Sequence, residues 1–206
     1  MLIAALTGGM GTGKSVALKI FQELGCYVHS ADKEAHSFLE PGTLVWEKIV
    51  EHFGKKILNK NNTIDRRQLG KIIFRDKKER QFLNNLIHPL VMKKKQQLID
   101  QLEKQGKYKI FISESAIVIE AGYRNFYDKI IVTSCDKDTQ IKRIMERDHI
   151  SKAEALKKIK SQLNVDEKSE SADYVINTSG PFLNTIDQAE RVFRNLMKDY
   201  ELKLVN

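Results

Sequence analysis

Lys14 and Ser15 stand directly behind a run of closely spaced glycines, an arrangement suited to holding a chain of phosphates. Gly8-Gly9-Met10-Gly11-Thr12-Gly13-Lys14-Ser15 fits the pattern of Gly, four residues, then Gly-Lys-Ser that defines a phosphate loop. Glycine lets the backbone wrap closely around oxyanions, and a following helix turns its unpaired N–H groups toward the same charge. Gly11, Thr12, Gly13, Lys14, Ser15 and Val16 are therefore the candidate nucleotide-binding residues. Lys14 would sit over the β and γ phosphates as a catalytic charge, and the Ser15 hydroxyl would ligate Mg²⁺. A dinucleotide fingerprint does not fit, because lysine occupies the place of its last glycine.

The remaining candidates are single residues whose placement decides their use. Asp32 follows an expected strand, and in a parallel α/β sheet the carboxyl ends of strands form the ligand crevice. It reads equally as the general base for an attacking hydroxyl and as a cap on a helix over 33–39. Glu114, at the end of another expected strand, is a candidate to hold Mg²⁺ through water, with Glu120 a second one. Arg143 and Arg147 are four apart in an expected helix, so both guanidinium groups leave one face and could converge on a transferring phosphate. His88 precedes Pro89 at an expected helix start, where it is either a ligand contact or a buried hydrogen-bonded side chain. Lys93, Lys94 and Lys95, with Arg66 and Arg67, offer cations to an anionic substrate or form a solvated face.

Apolar patterning supplies the elements that must hold these groups. Met1 to Leu6 reads as a strand, and Val16, Leu18, Ile20, Phe21 and Leu24 recur at helical spacing before Gly25 stops the helix. Further strands are expected over 26–29, 108–112, 129–133 and 174–176. Between the second and third, helices over 43–53, 65–75, 76–87 and from Pro89 to 104 make an all-helical block. A helix over 138–147 and another opened by the capping box Ser151 to Glu154 are joined by Asp148-His149-Ile150, which suggests a mobile flap. The final helix, over 185–202, turns Ile186, Ala189, Val192, Phe193, Leu196 and Tyr200 inward. Strands alternating with helices give an α/β fold, a five-stranded parallel sheet flanked by helices, with the phosphate loop between its first strand and first helix.

Composition narrows the setting. Hydrophobic residues make up 41% of the 206 and charged residues 30%, ordinary values for a soluble enzyme. A formal net charge of +8 would suit nucleic acid, but it also suits an enzyme whose substrates carry phosphates, and no nucleic-acid motif accompanies it. Nucleic acid is therefore not expected as a partner. Cys26 and Cys135 fall in or beside expected buried strands and read as reduced thiols. No apolar run approaches the ~20 residues of a membrane helix, and Met1 to Leu6 lacks the basic start of a signal peptide, so a cytoplasmic protein without membrane contact is expected.

Over nearly its whole length the chain resembles the dephospho-coenzyme A kinases. The likeness rests on an ordered set: Leu6 to Ser15, Ala31-Asp32, Leu86-Ile87-His88-Pro89, Ile119-Glu120-Ala121-Gly122, Arg143 to Asp148, Gln162, Lys168, Ala172-Asp173 and Val175-Ile176-Asn177. The resemblance implies transfer of the ATP γ-phosphoryl to the ribose 3′-hydroxyl of dephospho-coenzyme A, with Mg²⁺ as cofactor and coenzyme A and ADP as products. It implies a nucleotide-binding core of 1–30, 107–140 and 172–206, a helical substrate domain of 31–106 and a lid of 141–171. Asp32 matches the family's proposed general base, Arg143 and Arg147 its lid arginines, and His88 a substrate-domain position. Ser30 stands where the family usually has Asp, and Ala116-Ile117-Val118 where Pro-Leu-Leu is usual. The rival readings are a kinase of a nucleoside or small alcohol and a nucleotide-dependent switch. A guanine-reading Asn-Lys-x-Asp is missing, since Asn59-Lys60-Asn61 is followed by Asn62.

Overall fold

The computed structural model describes residues 1–205. In chain order the elements are β1 (Leu2–Gly8), α1 (Lys14–Glu23), β2 (Tyr27–Ser30), α2 (Ala31–Ser37), α3 (Leu44–Phe53), α4 (Arg66–Arg75), α5 (Lys77–Gln105), β3 (Ile110–Glu114), β4 (Lys129–Ser134), α6 (Lys137–Asp148), α7 (Lys152–Lys160), α8 (Val165–Glu170), β5 (Tyr174–Asn177) and α9 (Phe182–Val205). They divide into two units, Met1–Ser30 with the chain from Leu102 onward, and Ala31–Gln101.

In the first unit all strands are parallel and ordered β2-β3-β1-β4-β5. β1 is apolar almost throughout because the central strand of such a sheet is covered on both faces. Its alternate residues serve different layers. Leu2, Ala4 and Leu6 pack with Ala17, Ile20 and Phe21 of α1 and with Ala189, Val192 and Leu196 of α9. Ala5 packs on the opposite face with Val118, Tyr127, Ile130 and Val132. The register sets Ser30 beside Glu114, Leu6 beside both Glu114 and Ile131, and Gly8 beside Thr133. One edge of the sheet therefore gathers the carboxyl ends of β1 to β4.

The second unit is helical, as the patterning predicts. Thr43 caps α3 by accepting from the Trp46 N–H, and Asp65 caps α4 through the N–H groups of Arg67 and Gln68. Val45, Ile49, Phe53, Ile57, Leu69, Leu83, Ile87 and Val91 form its core.

Three expectations need correction. β2 and β3 lie further along the chain than expected, at Tyr27–Ser30 and Ile110–Glu114, so that Ser30 and Glu114 are the last residues of their strands. α8 was not anticipated; it is a short helix in a polar stretch, opened by the Asn164 side chain accepting from the Asp166 N–H. The helices expected over 76–87 and from Pro89 are one helix, α5, with Pro89 inside it. An interior proline forfeits an i→i−4 bond and crowds the preceding turn, at a cost of about 3 kcal/mol. Leu83 and Ile87 before it and Val91 after it are all buried in one core, and side chains of this size contribute about 1.5–3 kcal/mol each on burial. Packing on both sides of the proline outweighs the lost bond.

The same stripe continues to Lys95, one turn beyond Val91, which is only 2% exposed. Of the expected lysine face, Lys93 and Lys94 are exposed and Lys95 is not. Burial pushes its ammonium down to about 8, with the Glu34 charge acting in the opposite direction. Because the folded state holds this proton less tightly than the unfolded chain does, the cost of burial is full below about 8 and vanishes above the unfolded value of about 10.4. Lys95→Met is expected to be more stable than the parent near neutral pH, by a margin that shrinks as pH rises across this window. Urea unfolding at a series of pH values checks it, and a margin independent of pH would show that the ammonium does not carry the cost.

Candidate active site

The loop between β1 and α1 is shaped by contacts that leave no room for side chains. Gly8 has φ of 147°, and a Cβ there would lie 2.5 Å from both the carbonyl and the hydroxyl oxygen of Thr133. Gly13, the N-cap of α1, has φ of 83° and would bring a Cβ to 3.0 Å from Thr178 Cγ2. Every carbonyl from Gly8 to Thr12 accepts from a side chain. Lys14 Nζ donates to Gly8 and Gly9 at 3.1 and 3.0 Å, and Thr12 Oγ1 also donates to Gly9 at 2.8 Å. Gln140 Nε2 donates to Met10 at 2.8 Å, Arg143 Nη1 to Gly11 at 3.4 Å, and Thr178 Oγ1 to Thr12 at 3.1 Å. Carbonyl oxygens would repel an anion, so tying them to external donors leaves the helix N-terminus to set the local potential. Lys14 and Ser15 form the first turn of that helix.

The two arginines behave differently. Arg143 is half-buried and bound into the site, with Nη1 on Thr178 Oγ1 at 2.8 Å and Nη2 on the Thr178 carbonyl at 2.7 Å. Arg147 is exposed and grips Asp148 through both Nε and Nη2, at 2.7 and 3.1 Å. Asp148 also receives Lys158 at 2.7 Å, and the Arg147 hydrogen bond is the main reason its carboxyl is held down at about 2. The expected convergence of both guanidinium groups is thus not what the structure contains, because an acidic neighbour at the end of α6 captures the second. His149, in the left-handed region at φ 51°, ends that helix, and the capping box of Ser151 and Glu154 opens α7 as expected.

Glu114, the last residue of β3, is half-buried and accepts from Ser30 Oγ at 3.0 Å. The serine found where the resembling family usually has aspartate therefore supplies a donor to the adjacent carboxylate. Ser15 is exposed on the first turn of α1. A hydroxyl and a carboxylate are oxygen donors of the type a hard cation such as Mg²⁺ takes, alongside phosphate and water oxygens. Glu120, the second metal candidate, is engaged elsewhere: its Oε1 lies 2.6 Å from Lys168 Nζ.

Asp32 and His88 belong to the second unit. Asp32 is exposed at the second position of α2, inside the first turn rather than at the N-cap. His88 lies in the middle of α5 instead of at a helix start, and burial, with Lys95 adding to it, holds its imidazole below the usual range. Sequence reasoning missed Thr133, Gln140 and Thr178, which hold the loop from outside. Their types carry no chemical signature, and their separations from the loop, well over 100 residues, carry no periodic signal.

A parallel sheet whose central strand runs through a glycine loop into a helix, with lysine folded over the loop and a carboxylate at the next strand end, defines a phosphate-loop kinase fold. The family model for dephospho-CoA kinase matches residues 2–183, and the chain belongs to that family. It is 33% identical over 201 residues to the dephospho-CoA kinase of Halalkalibacterium halodurans, covering 98% of each chain. To that of Fusobacterium nucleatum it is 38% identical over 191 residues, covering 93% of this chain and 96% of the other. The solved structure of dephospho-CoA kinase from Campylobacter jejuni is similar at a TM-score of 0.68 and 33% identity, covering 96% of this chain and 98% of that one.

Since Arg143 braces Gly11 and Thr178 with a planar fork, a lysine would keep the charge but lose the geometry. Both Arg143→Ala and Arg143→Lys are expected to weaken binding of a non-hydrolysable ATP analogue by roughly tenfold or more, the scale of one charge-assisted hydrogen bond. Isothermal titration checks it, and parent-like binding by the lysine variant would show that charge alone suffices.

Proposed function

We propose that this chain transfers the γ-phosphoryl of ATP to the ribose 3′-hydroxyl of dephospho-coenzyme A, giving coenzyme A and ADP. The observation that carries this reading is the glycine loop with each carbonyl from Gly8 to Thr12 held by a side-chain donor, in a chain that belongs from residue 2 to 183 to the dephospho-CoA kinase family. Phosphoryl transfer asks a protein for positioning and charge neutralisation more than for covalent chemistry. In this reading the loop from Gly11 to Val16 receives the phosphates, Lys14 follows the migrating group, Arg143 adds positive charge, and Arg147 adds its own once phosphate draws it from Asp148. Mg²⁺ would be held by Ser15 and, through water, by Glu114, and would neutralise charge on the phosphate oxygens. Asp32, two residues beyond the end of β2, is assigned as the base that accepts the proton of the 3′-hydroxyl. The helical unit serves as the substrate-binding domain, with His88 one of its substrate positions, and 141–171 as a lid that excludes water. Its setting in this reading is the cytoplasm. Mass spectrometry of dephospho-coenzyme A incubated with the protein and Mg-ATP tests the reaction: a gain of one phosphoryl group supports it, and unchanged substrate overturns it.

Lys14→Ala is expected to keep the fold and lose on the order of 10²–10³ in turnover, the usual effect of removing one transition-state electrostatic contact. A coupled ADP-release assay on the folded variant measures it. Asp32→Asn is expected to lower kcat by about 10²–10⁴ with little change in KM for either substrate, because the amide keeps the shape but cannot take a proton. Steady-state kinetics at saturating substrates decide between roles, and a variant retaining more than about half the parent kcat would place the base elsewhere.

A further inference from the structure

Glu120, Gln162 and Lys168 are joined by a chain of contacts that ends on the phosphate loop. Lys168, fully buried on α8, places its ammonium 2.6 Å from Glu120 Oε1 and donates to the Ala116 carbonyl at 2.7 Å. Both partners lie on the segment that follows β3. The same Glu120 oxygen accepts from the Leu163 N–H at 3.3 Å. The residue before Leu163, Gln162, turns its Oε1 onto the Met10 N–H at 2.8 Å, while Gln140 Nε2 donates to the Met10 carbonyl at 2.8 Å. Two glutamine amides, from opposite ends of the segment comprising α6 and α7, thus grip the N–H and the C=O of one loop residue.

The choice of residue has a physical meaning. Met10 lies between Gly9 and Gly11, and glycines resist rotation of the adjoining peptides least of all residues. Lys14 and Thr12 hold the Gly8 and Gly9 carbonyls from close by, whereas both peptide groups of Met10 are held by side chains far along the chain. Gly9 also lets the clasp come near, since a Cβ there would lie 2.8 Å from both Gln140 Nε2 and Val165 Cγ2. We propose that Gln162 is a positioning residue for phosphoryl transfer. By holding the Met10 N–H it fixes the loop so that the donors beyond it, Gly11 to Ser15, are aligned on the γ-phosphate, and the Glu120–Lys168 pair aligns Gln162. This rests on the kinase reading above. A single neutral hydrogen bond from a half-buried side chain decides little of the fold, whereas small misplacements of reacting groups cost much in rate.

The test uses the full chain and two variants: Gln162→Met, of similar length without an amide oxygen, and Gln162→Glu, which keeps an oxygen to accept from Met10. Transfer by the parent from Mg-ATP to dephospho-coenzyme A is measured first, and an inactive parent would fail the proposed function rather than the clasp. The Met variant is expected to lose roughly tenfold or more in kcat, with KM for dephospho-coenzyme A within about twofold of the parent and the melting temperature nearly unchanged. At saturating ATP the Glu variant is expected to recover more than about half the parent kcat, while its added charge raises KM for ATP. A Met variant within about twofold of the parent kcat, or equal losses in both variants, would overturn the proposal.

Discussion

A phosphate loop must be made of residues that barely resist bending and yet must hold one shape, and the first unit is organised around that conflict. At Gly8 a Cβ would meet β4 at 2.5 Å, and Gly13 adopts a backbone conformation that other residues avoid. The stiffness the glycines lack comes from outside. Donors on α1, α6 and the segment after β5 occupy the carbonyls of Gly8 to Thr12, so that the loop is held by its surroundings more than by its own sequence.

Those donors are in turn placed by the sheet. Parallel pairing sets Gly8 beside Thr133 and Leu6 beside Glu114, so the hydroxyl that touches the loop and the carboxylate at the neighbouring strand end follow from the registers on the two sides of β1. Slipping the β1–β4 pairing by one residue would turn Thr133 to the opposite face, and slipping the β1–β3 pairing would do the same to Glu114. The apolar layers on each side, α1 and α9 against Leu2, Ala4 and Leu6, and Val118 and Tyr127 against Ala5, make such a slip costly. Core packing and site geometry are in this sense one constraint.

The helical unit tolerates two departures from ordinary helix chemistry, a proline inside α5 and a buried ammonium one turn past its apolar stripe. Both sit on a helix whose buried face is long enough to absorb local penalties. Lys94 Nζ lies 3.7 Å from Glu34 Oε1 and 5.6 Å from the centre of the Phe38 ring, so α2 and α5 also meet through charge. The cost of these features is met by a shared core rather than by each element alone.

The sequence by itself determined the strand-loop-helix, the parallel α/β class and the capping box at Ser151, and it singled out Lys14 and Ser15 as candidates, because each is signalled by the order and types of residues close together in the chain. It also carried the family likeness, through short ordered motifs. Only the tertiary structure decided that Arg143 is bound into the site while Arg147 is taken by Asp148, that Glu120 belongs to Lys168, and that Pro89 lies within a helix. It alone brought Thr133, Gln140, Gln162 and Thr178 to the loop. Residues one to two hundred positions apart meet through packing and register, and a side chain that acts only by holding a backbone carbonyl leaves no periodicity or spacing in the chain to announce it.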